Sequence, residues 1–385
     1  MRHSPDYRRL LRPSPGSFFV VGLAGAGKRT WARTHYPDSH LIDLRDDGVC
    51  QRFLAEPSAL AGEIRPLHRQ PVIVSDVQRA PALLAEVHRL MTGSDRRFVL
   101  LASSARSIRG AAAPLLDHSV AEHALYPLVP AELGRDFTLD RMLRFGSLPA
   151  VWEAADPWAT LETWMQTYVR DEIRADAVAR NVPAFLRFLP AAALGHGRVL
   201  NTAALARDAA ASRTTIAGYV RILQDTLLAT LLPAFETRLR VRERRHPKLY
   251  WTDAGLVRAA KRQLGDVTAE ERDVLLEGFV LTVLRAHNAR EELFEDIGYW
   301  APAQARLTEV DFLLRRGRDY LAIDVKAQPR HDRVQLAGLR AIEGLPRLVR
   351  RVLIYLGEES LRDDGIEVWP VRDWLAAVAG GRLWP

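Results

Sequence analysis

The sequence SFFVVGLAGAGKRT at residues 17–30 places an apolar run directly before a glycine-rich loop that ends in a lysine. Residues 22–28 match G-x-x-x-x-G-K, the P-loop (Walker A) pattern, between a predicted strand and a predicted helix. In such a loop the backbone N–H groups bind phosphate, and the lysine reaches the β- and γ-phosphate oxygens. The predicted ATP- or ADP-binding residues are Gly22, Gly25, Gly27, Lys28, Arg29 and Thr30.

The loop departs from the pattern at the position that normally helps to hold Mg²⁺. A Ser or Thr is expected after the lysine, but Arg29 stands there and Thr30 comes one place late. We hypothesise that the Arg29 guanidinium partly substitutes for Mg²⁺ beside the β-phosphate, so that nucleotide binds without efficient hydrolysis. The alternative is a relict loop that binds nothing.

A second apolar run, VIVSD at residues 72–76, ends where P-loop ATPases place their metal-supporting and catalytic carboxylates. In one register Ser75 takes the metal-supporting position and Asp76 the position of the catalytic base. In the other register Asp76 supports the metal and Val77 stands where the base belongs. Either register loses one acidic function, so the sequence predicts impaired or absent ATPase activity. The serines at 103–104 end the next run and are candidate γ-phosphate sensors.

Apolar runs alternate with helical patterns over the first part of the chain. The runs lie at residues 17–22, 40–44, 71–76, 98–104 and 123–128. This alternation predicts a parallel sheet covered by helices. We assign residues 1–150 to this P-loop domain.

Residues 151–255 have the pattern of a helical, winged-helix domain. Apolar residues recur at helical spacing over 216–227, after Ser212 as predicted N-cap, and two strand patterns at 228–235 and 247–251 flank an arginine-rich loop. The loop would contact phosphates and the helix start would contact bases. The predicted nucleic-acid-binding residues are Arg213, Thr214, Thr215, Arg238, Arg240, Arg242, Arg244 and Arg245. The alternative is a winged helix that serves only for packing.

Residues 256–385 form a third predicted unit, of α/β class. A helical pattern over 270–287 precedes strand patterns at 308–314, 320–327 and 351–357. In the first strand, alternation places Val310, Phe312 and Leu314 on one face and Asp311 on the other. The turn at 315–319 would then bring Asp311 close to the second strand.

Two aspartates and a lysine share the open face of this predicted hairpin. They are Asp311, Asp324 and Lys326, and Glu277 on the preceding helix is a third carboxylate. Carboxylates bind Mg²⁺ or Mn²⁺, and a neighbouring lysine can orient a water for phosphodiester attack. The D-x₁₂-D-x-K spacing resembles the PD-(D/E)XK nuclease core. The predicted metal ligands are Glu277, Asp311 and Asp324; the predicted catalytic residues are these three with Lys326, and Asp76 in the P-loop domain. The alternative is an amphipathic hairpin with charges on its open face.

Composition limits the partners and the compartment. The net charge of +7 and pI of about 9.8 favour a polyanionic partner such as DNA. Only four of the 54 basic residues are lysines, and two of them occupy the motif positions 28 and 326. Cys50 is the single cysteine, so an internal disulfide is excluded. No apolar run is long enough to span a bilayer. We expect a cytoplasmic protein and leave homo-oligomer formation open.

Taken together, the chain resembles a widespread bacterial and archaeal family of AAA-type ATP-binding proteins whose C-terminal region is a domain of unknown function. The family loop resembles GPRQVGKTT, and VIVSDVQRAP (72–81) resembles VVIDEIQKAP, with Gln78 and Pro81 kept. Further similar segments, in the same order, are LLASSAR (100–106), LRFGSLPAVW (143–152), YVRDEI (168–173), EGFVL, EVDFLL and IDVKA.

The resemblance implies three losses at the ATPase site: Arg29, Ser75 and an arginine that is replaced near Ser119. It implies an α/β multidomain fold: an AAA-like parallel-sheet domain, a winged-helix middle and a PD-(D/E)XK nuclease-like end. We therefore expect a DNA-associated nucleotide-binding protein with a degenerate ATPase site and a nuclease-like domain. The rival hypotheses are a non-catalytic regulatory or scaffold protein and a functioning ATPase.

Overall fold

The computed structural model describes residues 7–67, 70–93, 95–104, 120–170, 181–237, 243–303 and 308–385. Within these ranges the chain is a mixed α/β protein with three sheets of five, three and six strands. The sheets follow one another along the chain and define an N-terminal, a middle and a C-terminal part.

The N-terminal part is built on a fully parallel sheet, as the alternation of strands and helices predicts. Its strands are β1 (Phe18–Val21), β2 (His40–Asp43), β3 (Val72–Ser75), β4 (Phe98–Ala102) and β5 (Ala121–Ala124), in the spatial order β2-β3-β4-β1-β5. Its helices are α1 (Lys28–His35), α2 (Asp47–Ala55), α3 (Ala59–Ile64) and α4 (Leu83–Thr92). Strand β4 lies between β1 and β3, so the phosphate loop after β1 and the second motif after β3 face each other across the end of β4.

One strand of this sheet begins earlier than predicted. The apolar pattern predicts a strand over 123–128, but β5 occupies Ala121–Ala124. The pairing of β5 with β1 ends where β1 ends, since Val21 pairs with Ala124, and Pro127 follows soon after. A proline lacks the N–H that a continuing ladder needs.

The middle part consists of helices and a small antiparallel sheet. Its helices are α5 (Pro130–Leu133), α6 (Leu139–Phe145), α7 (Pro149–Glu153), α8 (Pro157–Tyr168), α9 (Val182–Leu194), α10 (Thr202–Asp208), α11 (Arg213–Asp225) and α12 (Ala254–Lys261). Its strands are β6 (Arg198–Val199), β7 (Ala229–Leu232) and β8 (Lys248–Trp251), in the order β6-β8-β7. Ser212 caps α11, as predicted, because its hydroxyl accepts the Thr215 N–H at 3.0 Å. Strand β7 stops before Pro233, although its apolar pattern runs to 235.

The C-terminal part follows the long helix α13 (Ala269–Glu291). Its strands are β9 (Asp296–Trp300), β10 (Val310–Arg316), β11 (Asp319–Lys326), β12 (Leu348–Tyr355), β13 (Leu361–Asp363) and β14 (Ile366–Pro370), with helices α14 (Ala337–Ala341) and α15 (Val371–Ala379). The strand order is β13-β14-β12-β11-β10-β9. Strands β9, β10 and β11 are antiparallel, whereas β11, β12 and β14 are parallel.

The predicted hairpin of β10 and β11 is confirmed, with one change of face. Its turn contains Gly317, whose φ of 60° suits a glycine. Phe312 and Leu314 pack in one apolar core, as predicted, but Val310 packs in another. The register of β10 against β9 shifts between Val310 and Leu313, and this bulge places Val310 on the opposite face from its predicted partners.

One of the apolar clusters includes residues from all three parts. It joins Leu23 of the phosphate loop to Trp251 of β8 and Phe312 of β10. In the described residues, the helices are too short or too polar for a membrane crossing.

Candidate functional site

The phosphate loop has the backbone geometry that its glycines allow. Gly25 and Gly27 have φ values of 81° and 92°, in the left-handed region that favours glycine. Gly22 leaves the end of β1 so close to the next strand that a Cβ would collide with the carbonyl oxygen of Leu125. Gly27 is the residue before helix α1, so the loop N–H groups and the positive helix end face the same cleft.

Lys28 is the first residue of α1 and is 8% exposed. Its Nζ donates to the carbonyl oxygens of Gly22 at 2.8 Å and Leu23 at 3.1 Å, and to the hydroxyl of Ser103 at 3.1 Å. The structure thus places the predicted lysine between the loop and the end of β4. These contacts to Lys28 come from neutral oxygen atoms.

Asp76 completes a polar cluster beside this lysine. Its carboxylate accepts the Ser75 hydroxyl at 2.7 Å, the Ser103 hydroxyl at 3.3 Å and the Gln78 amide at 3.3 Å. Asp76 has a φ of 58°, an uncommon conformation for a residue other than glycine, and it turns the chain directly after β3. Asp76 and Lys28 therefore contact the same serine hydroxyl.

Arg29 lies on the other side of the loop, where sequence reasoning did not foresee its partner. Its guanidinium forms an ion pair with Asp43, the last residue of β2. Arg45 also pairs with Asp43, at 3.1 Å, and its Nε lies 3.7 Å from Asp76. Two arginines and two aspartates thus connect the loop to the ends of β2 and β3. Thr30, on the same helix, lines the cleft.

The loop borders a cleft with a volume of about 2020 Å³. Two side chains from outside the motif support the loop. The Arg9 guanidinium donates to the carbonyl oxygen of Ala26 at 2.7 Å, and the Trp164 indole donates to that of Ala24 at 3.0 Å. Because Trp164 belongs to α8, it connects the loop directly to the middle part of the chain.

A second ionic cluster lies where the middle part meets the C-terminal sheet, and Lys248 is at its centre. Lys248 is 3% exposed, and its Nζ lies 3.4 Å from Asp311 and 3.9 Å from Glu277 and forms an ion pair with Glu309. The Tyr250 hydroxyl donates to Glu277 at 2.9 Å. Lys248 and Glu309 are not among the predicted site residues, although Lys248 is one of the four lysines and lies in a strand that is otherwise apolar.

The predicted aspartates and Lys326 come together as the hairpin requires. Lys326 Nζ donates to Asp324 at 2.6 Å and lies 3.8 Å from Asp311. Asp311 also accepts the backbone N–H of Val325 at 3.0 Å. Both aspartates are buried, at 3% and 2% exposed.

The acidic side chains of this cluster have pKa values shifted in opposite directions. Burial and the charge of Asp311 raise the pKa of Glu277 to about 8, against the opposing charge of Lys248. Burial likewise raises the pKa of Asp324 well above its ordinary value. Burial acts to raise the pKa of Asp311 too, but Lys326 and Lys248 outweigh it and hold that pKa below its usual range. Burial raises the pKa of Glu309 as well. At neutral pH the raised pKa of Glu277 favours its protonated form, whereas the two lysines keep Asp311 ionised.

This arrangement corrects the predicted metal group. Among the residues that the structure describes, no three His, Cys, Asp or Glu side chains are arranged to hold a metal ion. Glu277 and Asp311 approach each other through the ammonium of Lys248, which lies within 4 Å of both. The residues therefore do not fit a divalent cation in this arrangement.

The predicted nucleic-acid-binding residues divide into three groups. Arg213 and Thr214 are exposed at the start of α11, and Thr215 is partly buried. Arg245 is largely exposed and lies 3.6 Å from Glu236. Arg238, Arg240 and Arg242 lie outside the described residues.

Arg244, one of the predicted nucleic-acid-binding residues, contacts the C-terminal part of the chain. Its guanidinium lies 3.5 Å from Glu309, and its backbone N–H donates to Ala301 at 2.9 Å. In the same loop, the Phe235 N–H donates to the Tyr299 carbonyl of β9 at 2.7 Å, and the Trp300 indole donates to Glu243 at 2.6 Å. Where the loop is described, it therefore packs on the C-terminal sheet.

Comparison with known proteins gives two family matches. Residues 136–266 match DUF8612 and residues 273–374 match DUF4143, each a domain of unknown function. The chain is also similar to two uncharacterized proteins, Mb2031c of Mycobacterium bovis and Rv2008c of Mycobacterium tuberculosis. Each is 27% identical over 393 residues, an alignment that covers 98% of this chain and 82% of the relative.

Similarity to solved structures is weak. The Aeropyrum pernix ORC1 protein in complex with DNA matches with a TM-score of 0.32 and 11% identity, over 65% of this chain and 87% of that chain. The ADP form of the Aeropyrum pernix ORC2 protein matches with a TM-score of 0.32 and 13% identity, over 69% and 88%. Protein VC1899 from Vibrio cholerae matches with a TM-score of 0.24 and 12% identity, over 95% and 97%. Similarities of this size support no conclusion about function.

Proposed function

We propose that this chain is an AAA-type nucleotide-binding protein that binds ATP or ADP at its phosphate loop and hydrolyses ATP weakly or not at all. The observation that carries the proposal is the position of Lys28. Its ammonium is held by two carbonyls and one hydroxyl beside an open cleft. A phosphate oxygen carries a negative charge and therefore binds the ammonium more strongly than these neutral acceptors do, so a nucleotide can take their place.

Two features of the site support weak hydrolysis. The residue after Lys28 is Arg29, which offers no hydroxyl to Mg²⁺ and pairs with Asp43 instead. At the end of β3, Ser75 donates to Asp76, so one carboxylate serves a site that normally uses two acidic groups. Asp76 contacts Ser103, which also contacts Lys28. This contact favours the register in which Asp76 takes the metal-supporting position and Val77 the position of the catalytic base.

Calorimetry with ATP and ADP, with and without Mg²⁺, tests this proposal. We expect nucleotide binding that changes little when Mg²⁺ is removed. Lys28→Met should weaken binding roughly 10- to 100-fold, the effect of losing charged hydrogen bonds. Arg33→Met is the matched control, because Arg33 is exposed on the same helix.

Two results would contradict the proposal. One is strict dependence of ATP binding on Mg²⁺. The other is ATP turnover at roughly 1–10 s⁻¹, which is ordinary for an enzyme. Arg29→Thr, which restores the hydroxyl, should make ATP binding depend more strongly on Mg²⁺ than it does in the wild type.

We also propose that the middle part associates with DNA as a winged helix. Its element order supports this: helix α9, strand β6, helices α10 and α11, then the β7–β8 hairpin. The start of α11 presents Arg213 and Thr214 to solvent, and the net charge of the chain is +7. Phosphate contacts from such residues would give salt-dependent affinity.

Fluorescence anisotropy with duplex DNA over a salt series tests the DNA proposal. Arg213→Glu should weaken binding and flatten the salt dependence. The loop arginines Arg238, Arg240, Arg242 and Arg245 are reversed to Glu in a second variant. Arg244→Glu is not used, because Arg244 pairs with Glu309. Salt-dependent binding that survives both variants unchanged would refute the proposal.

The metal-dependent nuclease that the sequence predicts is the rival hypothesis, and one observation favours it. The fold of the C-terminal part brings Asp311, Asp324 and Lys326 together. Its element order is helix α13, the antiparallel strands β9 to β11, helix α14 and the parallel strand β12. The buried ammonium of Lys248 opposes this candidate. Incubating DNA with Mn²⁺ and either the wild type or Asp324→Ala decides it, since only cleavage that the variant loses would belong to this site.

A further inference from the structure

Lys248 and its carboxylates belong to different parts of the chain. Lys248 opens strand β8 of the middle sheet, whereas Glu277 lies on α13, and Glu309 and Asp311 lie at the start of β10. The ammonium therefore crosses the boundary between the middle and C-terminal parts. Its side chain is 4% exposed, and that of Asp311 is equally buried.

The Lys248 ammonium lies where these carboxylates converge. Three acidic side chains approach the single Nζ atom: Asp311 at 3.4 Å, Glu277 at 3.9 Å and Glu309 in an ion pair. The aromatic ring of Tyr299 lies 5.3 Å from the same Nζ, within range of a cation–π interaction. A buried carboxylate group of this kind requires a cation, and here the chain supplies one itself.

The backbone holds this ammonium in place. Lys248 pairs with Leu232 of β7 on one side and with Val199 of β6 on the other. Strand β8 is thus the central strand of its sheet, and all four of its residues are buried. Lys248 cannot leave the cluster by a loop movement.

A divalent metal and this ammonium cannot share the space. Mg²⁺ requires oxygen ligands at about 2.1 Å in octahedral geometry, and Mn²⁺ prefers similar oxygen ligands. A metal ion near Asp311 would lie within a few ångströms of the buried ammonium, where like charges repel strongly.

We propose that Lys248 takes the place of the divalent metal ion in this cluster, so that the cluster fastens the middle part to the C-terminal sheet and does not bind Mg²⁺ or Mn²⁺. The residue pattern that resembles a nuclease is retained as an internal ion-pair network. This inference is independent of nucleotide binding at Lys28, because the two clusters share no residue.

Mn²⁺ binding, followed by electron paramagnetic resonance of the free ion, tests the inference on the nucleotide-free full chain. The wild type should leave Mn²⁺ free up to millimolar concentration. Lys248→Ala removes the ammonium and opens space among the carboxylates. This variant should bind one Mn²⁺ at least tenfold more tightly than the wild type, and adding Asp311→Asn should abolish that gain.

The matched control is Lys261→Ala. Lys261 is also a largely buried lysine paired with a buried glutamate, Glu271 at 2.7 Å, and it lies outside this cluster. It should not gain Mn²⁺ binding. Circular dichroism establishes that each variant is folded.

Two outcomes would overturn the inference. One is tight binding of a single Mn²⁺ by the wild type that Asp311→Asn abolishes. The other is a folded Lys248→Ala protein with no more affinity for Mn²⁺ than the wild type. If Lys248→Ala does not fold, the comparison of the wild type with Asp311→Asn still decides whether the native cluster holds a metal.

Discussion

The phosphate loop and the C-terminal cluster each hold a buried lysine, but with different partners. Lys28 donates to two backbone carbonyls and a serine hydroxyl at the edge of a large cleft. Lys248 lies among three acidic side chains, Asp311, Glu277 and Glu309, and its own side chain is buried. In the proposed function, phosphate oxygens replace these neutral acceptors at the first ammonium. The second ammonium is paired with acidic side chains of the chain itself. An external anion that took their place would leave those buried side chains without a cation.

The contrast shows that a motif lysine is not recognised by burial alone. Both lysines are less than one tenth exposed, at 8% and 3%. The two lysines differ in the charge of the acceptors named above and in the space beside them. Three experiments test this distinction, in order of expected effect.

The largest effect concerns folding stability. Lys248→Met should lower the free energy of unfolding by about 3–5 kcal/mol, because it leaves buried carboxylates without their cation. Lys28→Met should lower it by at most about 1 kcal/mol, since water in the cleft can hydrate the freed carbonyls. Urea denaturation at pH 7 measures both. An equal loss of unfolding free energy in the two variants would contradict the difference proposed between Lys28 and Lys248.

The second effect is the pH dependence of the C-terminal cluster. The folded pKa of Glu277, about 8, is higher than its ordinary value of 4.5 because of burial and of Asp311. Its contribution to stability is therefore full below pH 4.5 and is lost as the pH rises towards 8. Glu277→Gln removes this titration. The variant should gain stability relative to the wild type between pH 5 and pH 8, as measured by urea midpoints. A constant difference over this range would contradict the assignment.

The smallest effect concerns the support of the phosphate loop. Trp164→Phe removes the indole N–H that donates to Ala24, and should weaken ADP binding roughly fivefold, as expected for one neutral hydrogen bond. Trp158→Phe is the matched control on the same helix, because Trp158 packs against Phe145. If both variants bind ADP like the wild type, α8 does not support the loop during binding.

The sequence predicts those features that depend on local patterns. Apolar runs and the loop motif predict the parallel sheet, and alternation predicts the hairpin that joins Asp311, Asp324 and Lys326. Glu309 could also have been found, because it lies two residues before Asp311 on a predicted strand. Strand β9 was missed, since its residues, DIGYW, carry no clear alternation.

The remaining features depend on contacts between distant segments. Lys248 and Asp311 are separated by 63 residues and lie in different sheets, so no spacing rule connects them. Arg29 and Asp43 meet only because β1 and β2 are both parts of one sheet whose strands end on the same side. The bulge at Val310 arises where β10 pairs with β9. The apolar pattern of β10 alone does not predict how it pairs with a neighbouring strand.

The position of Lys248 has a practical consequence for dividing this chain into independently folding fragments. The match to DUF4143 begins at residue 273, downstream of Lys248, so a fragment cut at that boundary would keep Glu277, Glu309 and Asp311 but lose their cation. It would also expose the edge of β9, which the loop before β8 covers. A fragment that keeps this cluster complete must therefore begin upstream of β8.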